Sequence, residues 1–218
     1  MIAPAEECAI DPDRLGARYT VTQVITSDGN RQEAERHVQI WRHGNQVAYV
    51  REEEQVTEIW DLVVDGRQKL IRYFDAHQRA IEYQPGDLGP ANGGESWSRR
   101  YQIVSDAERA AMTRAGSSGE GCDEVIRFEH VDVATGARDE MEWDAGARVV
   151  KSLVRTRGIE QTTWTLDTLY SDGERVDEEF VRRHRYRTVD FVDIGDNESD
   201  PFLRDMMHLG FSGDHDGH

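Results

Sequence analysis

The chain has 218 residues, with 43 acidic and 26 basic side chains, a net charge of −17 and 37% hydrophobic residues. That balance repels a nucleic-acid backbone and an anionic membrane surface alike, so nucleic acid is excluded as a partner class. With no run of eighteen apolar residues, no helical membrane span is expected, while the composition is that of a folded chain and not of a disordered one.

Asp11-Pro12-Asp13-Arg14-Leu15 predicts a short helical turn, with Asp11 as cap and Pro12 in the first helical position. From there the chain is punctuated by turn signals: Asp28-Gly29-Asn30, Gly44-Asn45, Glu53-Glu54, Asp65-Gly66, Asp75-Ala76-His77, Thr135-Gly136, Ala145-Gly146 and Asp172-Gly173. Asx-Gly and related pairs accept the positive φ that tight hairpins require, so these join antiparallel neighbours. Strands are predicted over 18–26, 34–43, 46–52, 55–64, 68–74 and 78–84, each rich in β-branched and aromatic residues.

From Pro85 to Gly94 the run is too rich in glycine and proline for a regular element and reads as a linker or flap. A short strand is expected at 99–104. Ser105-Asp106-Ala107-Glu108 then has the capping-box spacing, which predicts a helix over 106–115. Gly116 to Gly121 reads as a second flexible loop. Strands resume over 122–133, 138–144, 148–156, 160–170 and 182–192. In the last of these Arg183, Arg185 and Arg187 share one face by parity and are expected to pair with acidic neighbours such as Glu160 or Asp167, a docking strip for an anionic ligand being the alternative. Asp193 to Asp200 is an acidic loop without the full calcium-loop pattern, and Pro201 opens a short C-terminal helix capped by Ser199 or Asp200 and ended by Gly210.

The predicted fold class is mainly β: a large curled antiparallel sheet or half-barrel of about ten strands, with a mid-chain helix and a short C-terminal helix. Residues 1–211 form one domain, and 212–218 form a flexible polar His/Asp tail. Large antiparallel sheets curl, and the mid-chain helix is the plug for the concave face. In the order of these elements over 18–192, with Tyr19-Thr20-Val21-Thr22-Gln23 in the first strand and Ile59-Trp60-Asp61-Leu62-Val63-Val64-Asp65-Gly66 before a hairpin, the chain resembles a periplasmic half-barrel family. It is the family of the lipoprotein carrier and receptor of outer-membrane sorting and of the anti-sigma-factor regulator (LolA, LolB and RseB). The chain departs from the carriers in lacking their long amphipathic N-terminal helix. The resemblance implies a binding cavity and an exported location.

Aromatic side chains available to line such a cavity are Trp41, Trp60, Tyr73, Phe74, Phe128, Trp143 and Trp164. Strand aromatics serve equally as plain core. Cys8 and Cys122 are the only cysteines, and in an oxidising compartment they are expected to form one disulfide tying the N-terminal segment to the sheet. The chain is either cytoplasmic or a mature exported protein whose leader gave way to Met1; Ala3-x-Ala5, like the stub of a cleavage site, favours a periplasmic location. Glu6-Glu7 before Cys8 argues against a lipid anchor.

No hydrolase elbow, zinc-protease helix, phosphate loop or dinucleotide fingerprint occurs, and Asp123 and Glu124 beside Cys122 disfavour a thiolate. The expectation is therefore a non-enzymatic periplasmic carrier or accessory protein that binds an apolar small molecule or lipid, or another periplasmic protein, in a concave sheet. The alternative is a copper chaperone. Met206, His208, His215 and His218 gather thioether and imidazole donors near the C-terminus, a mixture suited to copper in either oxidation state.

Overall fold

The computed structural model describes residues 8–27, 29–89, 95–196 and 199–208, the side chains of 195–196 and 207–208 excepted. Twelve strands form one sheet: β1 (Arg14–Ser27), β2 (Asn30–His43), β3 (Gln46–Arg51), β4 (Val56–Leu62), β5 (Gln68–Phe74), β6 (Arg79–Tyr83), β7 (Thr113–Ser118), β8 (Val125–Asp132), β9 (Ala137–Asp144), β10 (Val149–Arg157), β11 (Glu160–Tyr170) and β12 (Arg187–Asp190). Their order is β12-β6-β5-β4-β3-β2-β1-β11-β10-β9-β8-β7. Every neighbouring pair is antiparallel except β12 with β6. Helices are α1 (Trp97–Gln102), α2 (Asp106–Ala111), α3 (Gly173–Val181) and α4 (Pro201–His208).

The sheet is an open curled half-barrel, as its contacts show. Strands β4 and β10 are five positions apart, about 24 Å in a flat sheet at about 4.8 Å per strand. Yet Glu58 on β4 and Arg155 on β10 line one pocket of about 250 Å³ together with Arg99 and Arg100 of α1. The sheet therefore wraps around α1. Tyr19 on β1, Ile40 on β2, Val47 on β3, Trp60 on β4, Leu70 on β5 and Ile81 on β6 point inward and pack with Tyr101 of α1 and with Phe202, Leu203 and Met206 of α4. The opposite parity sends Trp41, Ala48, Ile59, Tyr73 and Ala80 outward, where Val176 and Phe180 of α3 cover them. On β8–β10 most outward residues are polar, among them Arg127, Glu129, Glu140 and Glu142, and no helix among the described residues covers that part of the outer face.

Two close approaches fix the outer face. Gly16 sits between Trp41 and Tyr170 on the neighbouring strands, and the two rings stack at 5.0 Å with 10° between planes. A Cβ on Gly16 would meet the Trp41 ring at 2.2 Å, so no larger residue fits there without displacing it. Arg183, 1% exposed, pairs with Asp75 at 2.8 Å and with the Glu179 carboxylate, and so anchors the end of α3 to the β5–β6 turn. Inside, Arg42 is 3% exposed. Its guanidinium donates to the carbonyl oxygens of Tyr101 at 2.7 Å, Arg148 at 2.9 Å and Pro12 at 3.3 Å, which ties α1, the β9–β10 turn and the N-terminal segment to β2.

Cys8 and Cys122 form a disulfide across 114 residues. It joins the N-terminal segment to the turn between β7 and β8, where Cys122 O lies 2.2 Å from a Cβ built on Gly146.

Several expectations are corrected. The 11–15 segment is a turn, closed by the Arg14 amide on Asp11 O, and not a helical turn. Residues 97–102 are helix α1 and not a strand, because the Ser96 hydroxyl caps the Arg99 amide. The capped helix α2 ends at Ala111, and the stretch from Thr113 to Ser118, which includes the residues read as a loop from Gly116, is the edge strand β7. Asp172-Gly173 is not a hairpin: Asp172 caps α3 by accepting from the Glu174 amide. Only Arg187–Asp190 of 182–192 is strand, and Arg183 pairs with Asp75 and Glu179, while Glu160 bonds Gln23 and Asp167 bonds Thr20. Among the described residues the sheet has twelve strands, where about ten were expected. At the C-terminus it is Asp200 that caps α4, through the Phe202 amide, and 209–218 lie outside the described residues.

Replacing Arg42 with methionine keeps the volume but strands buried carbonyls at about 1–3 kcal/mol each. We expect the variant to lose at least about 3 kcal/mol in urea unfolding; a loss within the error of the wild type would refute the hub role. Gly16→Ala should cost about 1–3 kcal/mol by overpacking. In a double-mutant cycle with Trp41→Leu most of that cost should vanish, and additive losses would show that the ring is not the obstacle.

Candidate functional site

Register along β8, β9 and β10 builds a groove of two chemistries. Phe128 lies opposite Met141 and Met141 opposite Leu153, an apolar row. Two residues further along, the same face carries His130 opposite Asp139 and Asp139 opposite Arg155, a polar row. Over this surface lies α2, and between them is a groove of about 510 Å³. Its apolar part is formed by Val104, Ala111, Met112, Ala137 and Leu153; its mouth by His130, Asp132, Thr135, Arg157 and Gly158 at the tips of the β8–β9 and β10–β11 hairpins. Asp132 holds the first tip in shape, accepting from the Ala134 amide at 2.9 Å and the Thr135 hydroxyl at 2.8 Å.

The roof is clamped by Glu108. Its carboxylate accepts from the Ser105 amide at 2.8 Å, while the Ser105 hydroxyl accepts from the Glu108 amide, the reciprocal box that starts α2. The same carboxylate bridges Arg99 at 2.8 Å and Arg155 at 3.2 Å. Partial burial raises its pKa, but the Ser105 donors and the two guanidiniums outweigh that, and the net shift is downward. Glu108 is thus a fixed anion near neutrality, suited to holding the roof and not to donating a proton.

Behind the clamp lies the inner pocket of about 250 Å³, bounded by Tyr49, Arg51, Glu58, Glu95, Arg99, Arg100, Ile103, Arg155 and Trp164. Glu58 is shared by Arg51 at 3.1 Å and Arg72 at 2.8 Å; burial pushes its pKa up, Arg72 and Arg51 pull it down, and the pull wins. Arg100 lies 3.3 Å over the Trp60 ring and pairs with Glu95 at 3.1 Å, and its carbonyl accepts from the Tyr49 hydroxyl.

The seven aromatic residues singled out from sequence do not converge. Phe128, Trp143 and Trp164 belong to the cluster that continues the floor of the groove, with Met141 and Leu153. Trp60 and Phe74 lie in the main inner core. Trp41 and Tyr73 face outward under α3, because their strand parity is opposite, and line no inner cavity. Sequence reasoning passed over Glu108, Arg155 and Arg157; the capping box pointed at Glu108, but nothing local marks the two arginines.

Met206, expected as a metal donor, is 3% exposed and packed in the core with Phe202 and Leu203. The His208 side chain and all of His215 and His218 lie outside the described residues. Among the described residues no group of three or more His, Cys, Asp or Glu is placed to hold an ion, and no helix is long and apolar enough to cross a membrane.

No protein-family model matches the chain, and no curated protein matches it. Solved structures do. One is a domain from Vibrio parahaemolyticus assigned to outer membrane lipoprotein sorting, with TM-score 0.35 and 7% identity over 79% of this chain and 92% of that one. Another is a LolA superfamily protein from Nitrosomonas europaea, with TM-score 0.37 and 9% identity over 77% and 90%. A third is MucB in complex with periplasmic MucA, with TM-score 0.30 and 10% identity over 73% of this chain and 53% of that one.

Because the Glu108 pKa is lower folded than its ordinary value of 4.5, its contribution to stability is complete above that value and is lost as the pH falls through the folded one. Glu58 acts in the same direction. Glu108→Gln keeps the capping box and removes the charge. Its urea midpoint should fall less steeply than the wild type between about pH 6 and about pH 3; parallel curves would mean the clamp is not electrostatic.

Proposed function

We propose that the chain is a non-enzymatic binding protein of the periplasm, a carrier or accessory factor that holds an apolar group of a small ligand, or of a partner protein, in the groove under α2. The observation that carries this reading is the groove itself: about 510 Å³ of space with an apolar interior between Val104, Met112 and Leu153, and a polar mouth at one end. Ligand sites are concave and mostly apolar with a few convergent polar groups, and this one is roofed by a helix held by a side-chain clamp. The Cys8–Cys122 disulfide suits an oxidising compartment. A binding role accords with the carboxylates around the site, since Glu58, Glu95, Glu108 and Asp139 are each engaged by arginine and serve as anchors.

The test is occupancy of the groove. An apolar fluorophore such as N-phenyl-1-naphthylamine should bind the purified protein and be displaced by long-chain fatty acid. Ala111→Trp and Ala137→Trp, which fill the groove from roof and floor, should each weaken the fluorophore about tenfold or more, a loss on the scale of a blocked apolar site, with the melting temperature little changed. Unaltered affinity in both variants would overturn the reading.

A further inference from the structure

We propose that the inner pocket behind the Glu108 clamp is an oxyanion site for a phosphate- or sulfate-type group. The chain as a whole carries a charge of −17, yet this pocket is lined by four arginines, Arg51, Arg99, Arg100 and Arg155, against two glutamates. Adding the partners that touch them, Arg72, Glu54 and Glu108, gives five guanidiniums to four carboxylates, so an excess of one positive charge remains. In a concave site with low-dielectric walls that excess is focused and not averaged away by the acidic surface.

The carboxylates do not face an incoming anion alone. Three of the four are each shared between two arginines: Glu58 by Arg51 and Arg72, Glu95 by Arg99 and Arg100, Glu108 by Arg99 and Arg155. They hold the guanidiniums in a preset array, and forked donors in fixed positions are the geometry that recognises phosphate and sulfate. The Nε of Arg155 is buried without a hydrogen-bond partner, so the clamp leaves one donor of this guanidinium unengaged. The volume of about 250 Å³ admits one such group with a few waters, at about 30 Å³ each.

Arg155 lines this pocket and the groove under α2 as well. The two cavities therefore meet at one guanidinium, which fits an anionic amphiphile with its head among the arginines and its apolar chain under α2. That extension, and not the oxyanion site, rests on the carrier reading.

Calorimetric titration with inorganic phosphate, with dodecyl phosphate and with dodecyl maltoside, each amphiphile below its micellar concentration, tests this. The probe variant is Arg51→Gln/Arg155→Gln, in which Glu58 keeps Arg72 and Glu108 keeps Arg99; Arg99→Gln, at a half-exposed position, serves if the double variant does not fold. The wild type should bind dodecyl phosphate at least tenfold more tightly than dodecyl maltoside, the advantage should shrink with added salt, and it should disappear in the variant. Inorganic phosphate binding that is lost in the variant upholds the pocket even if neither amphiphile binds, a result that sinks the groove reading and makes the ligand a free anion. Equal affinity for the two amphiphiles, together with no phosphate binding, overturns the oxyanion site.

Discussion

The fold hangs on one buried cation. Arg42 leaves the end of β2 on the concave side and donates to carbonyl oxygens of three segments that are distant in sequence: the C-terminal end of α1, the β9–β10 turn and the chain just before β1. A guanidinium has five donors in a rigid fork, so a single side chain can fix the relative positions of all three. The end of α1 is also the negative end of a helix, which favours a cation there. Once α1 is fixed, the sheet has a body to curl around. Tyr101 then closes the N-terminal half of the concave face, and Arg99 reaches Glu108, which also holds Arg155 of the other half.

What distinguishes the two halves of the sheet is how many faces are covered. From the second half of β2 through β6 both faces are covered, with α1 and α4 inside and α3 outside. From β8 to β10 the outer face is wet, and inside only the short α2 lies over the strands. Apolar surface is thus fully used in one half and only partly used in the other. The groove falls where the covering runs out, at the end of α2 where the strands continue past it. The polar row of His130, Asp139 and Arg155 is what a strand shows when its inner face passes from core to mouth.

Much of this was legible in the residues. The hairpins β2 to β6 and β8 to β11, the Cys8–Cys122 bond, the capping box of α2 and the helix opened by Pro201 were all marked by local chemistry. The segments that were misread lack such marks. Trp97–Gln102 has aromatic residues that suit a strand, and only its cap and the buried Arg42 fork make it a helix. Thr113–Ser118 is glycine- and serine-rich, and it becomes a strand because β8 offers it a free edge. Asp172-Gly173 has letters common to a hairpin turn and a helix cap, and the amphipathic run from Glu174 to Val181 decides between them. One signal was present and unused. Ile40-Trp41, Val47-Ala48, Ile59-Trp60, Tyr73-Phe74 and Ala80-Ile81 are apolar doublets, one residue to each face, and doublets in five successive strands require a cover on both sides. They foretell a helix such as α3. The same doublets explain why Trp41 and Tyr73 could not line an inner cavity.

Between α1 and α2 the chain turns at Ile103, which has φ 71° and ψ −39°. A β-branched residue in that region is a steric outlier and costs on the order of 1–3 kcal/mol. Its side chain packs against two core clusters at once, and that packing holds the backbone in place. Ile103 is therefore a loaded hinge: any event that pulls it out of the two clusters also relaxes its backbone, so the corner that carries the roof of the groove yields for less free energy than an unstrained corner of the same burial.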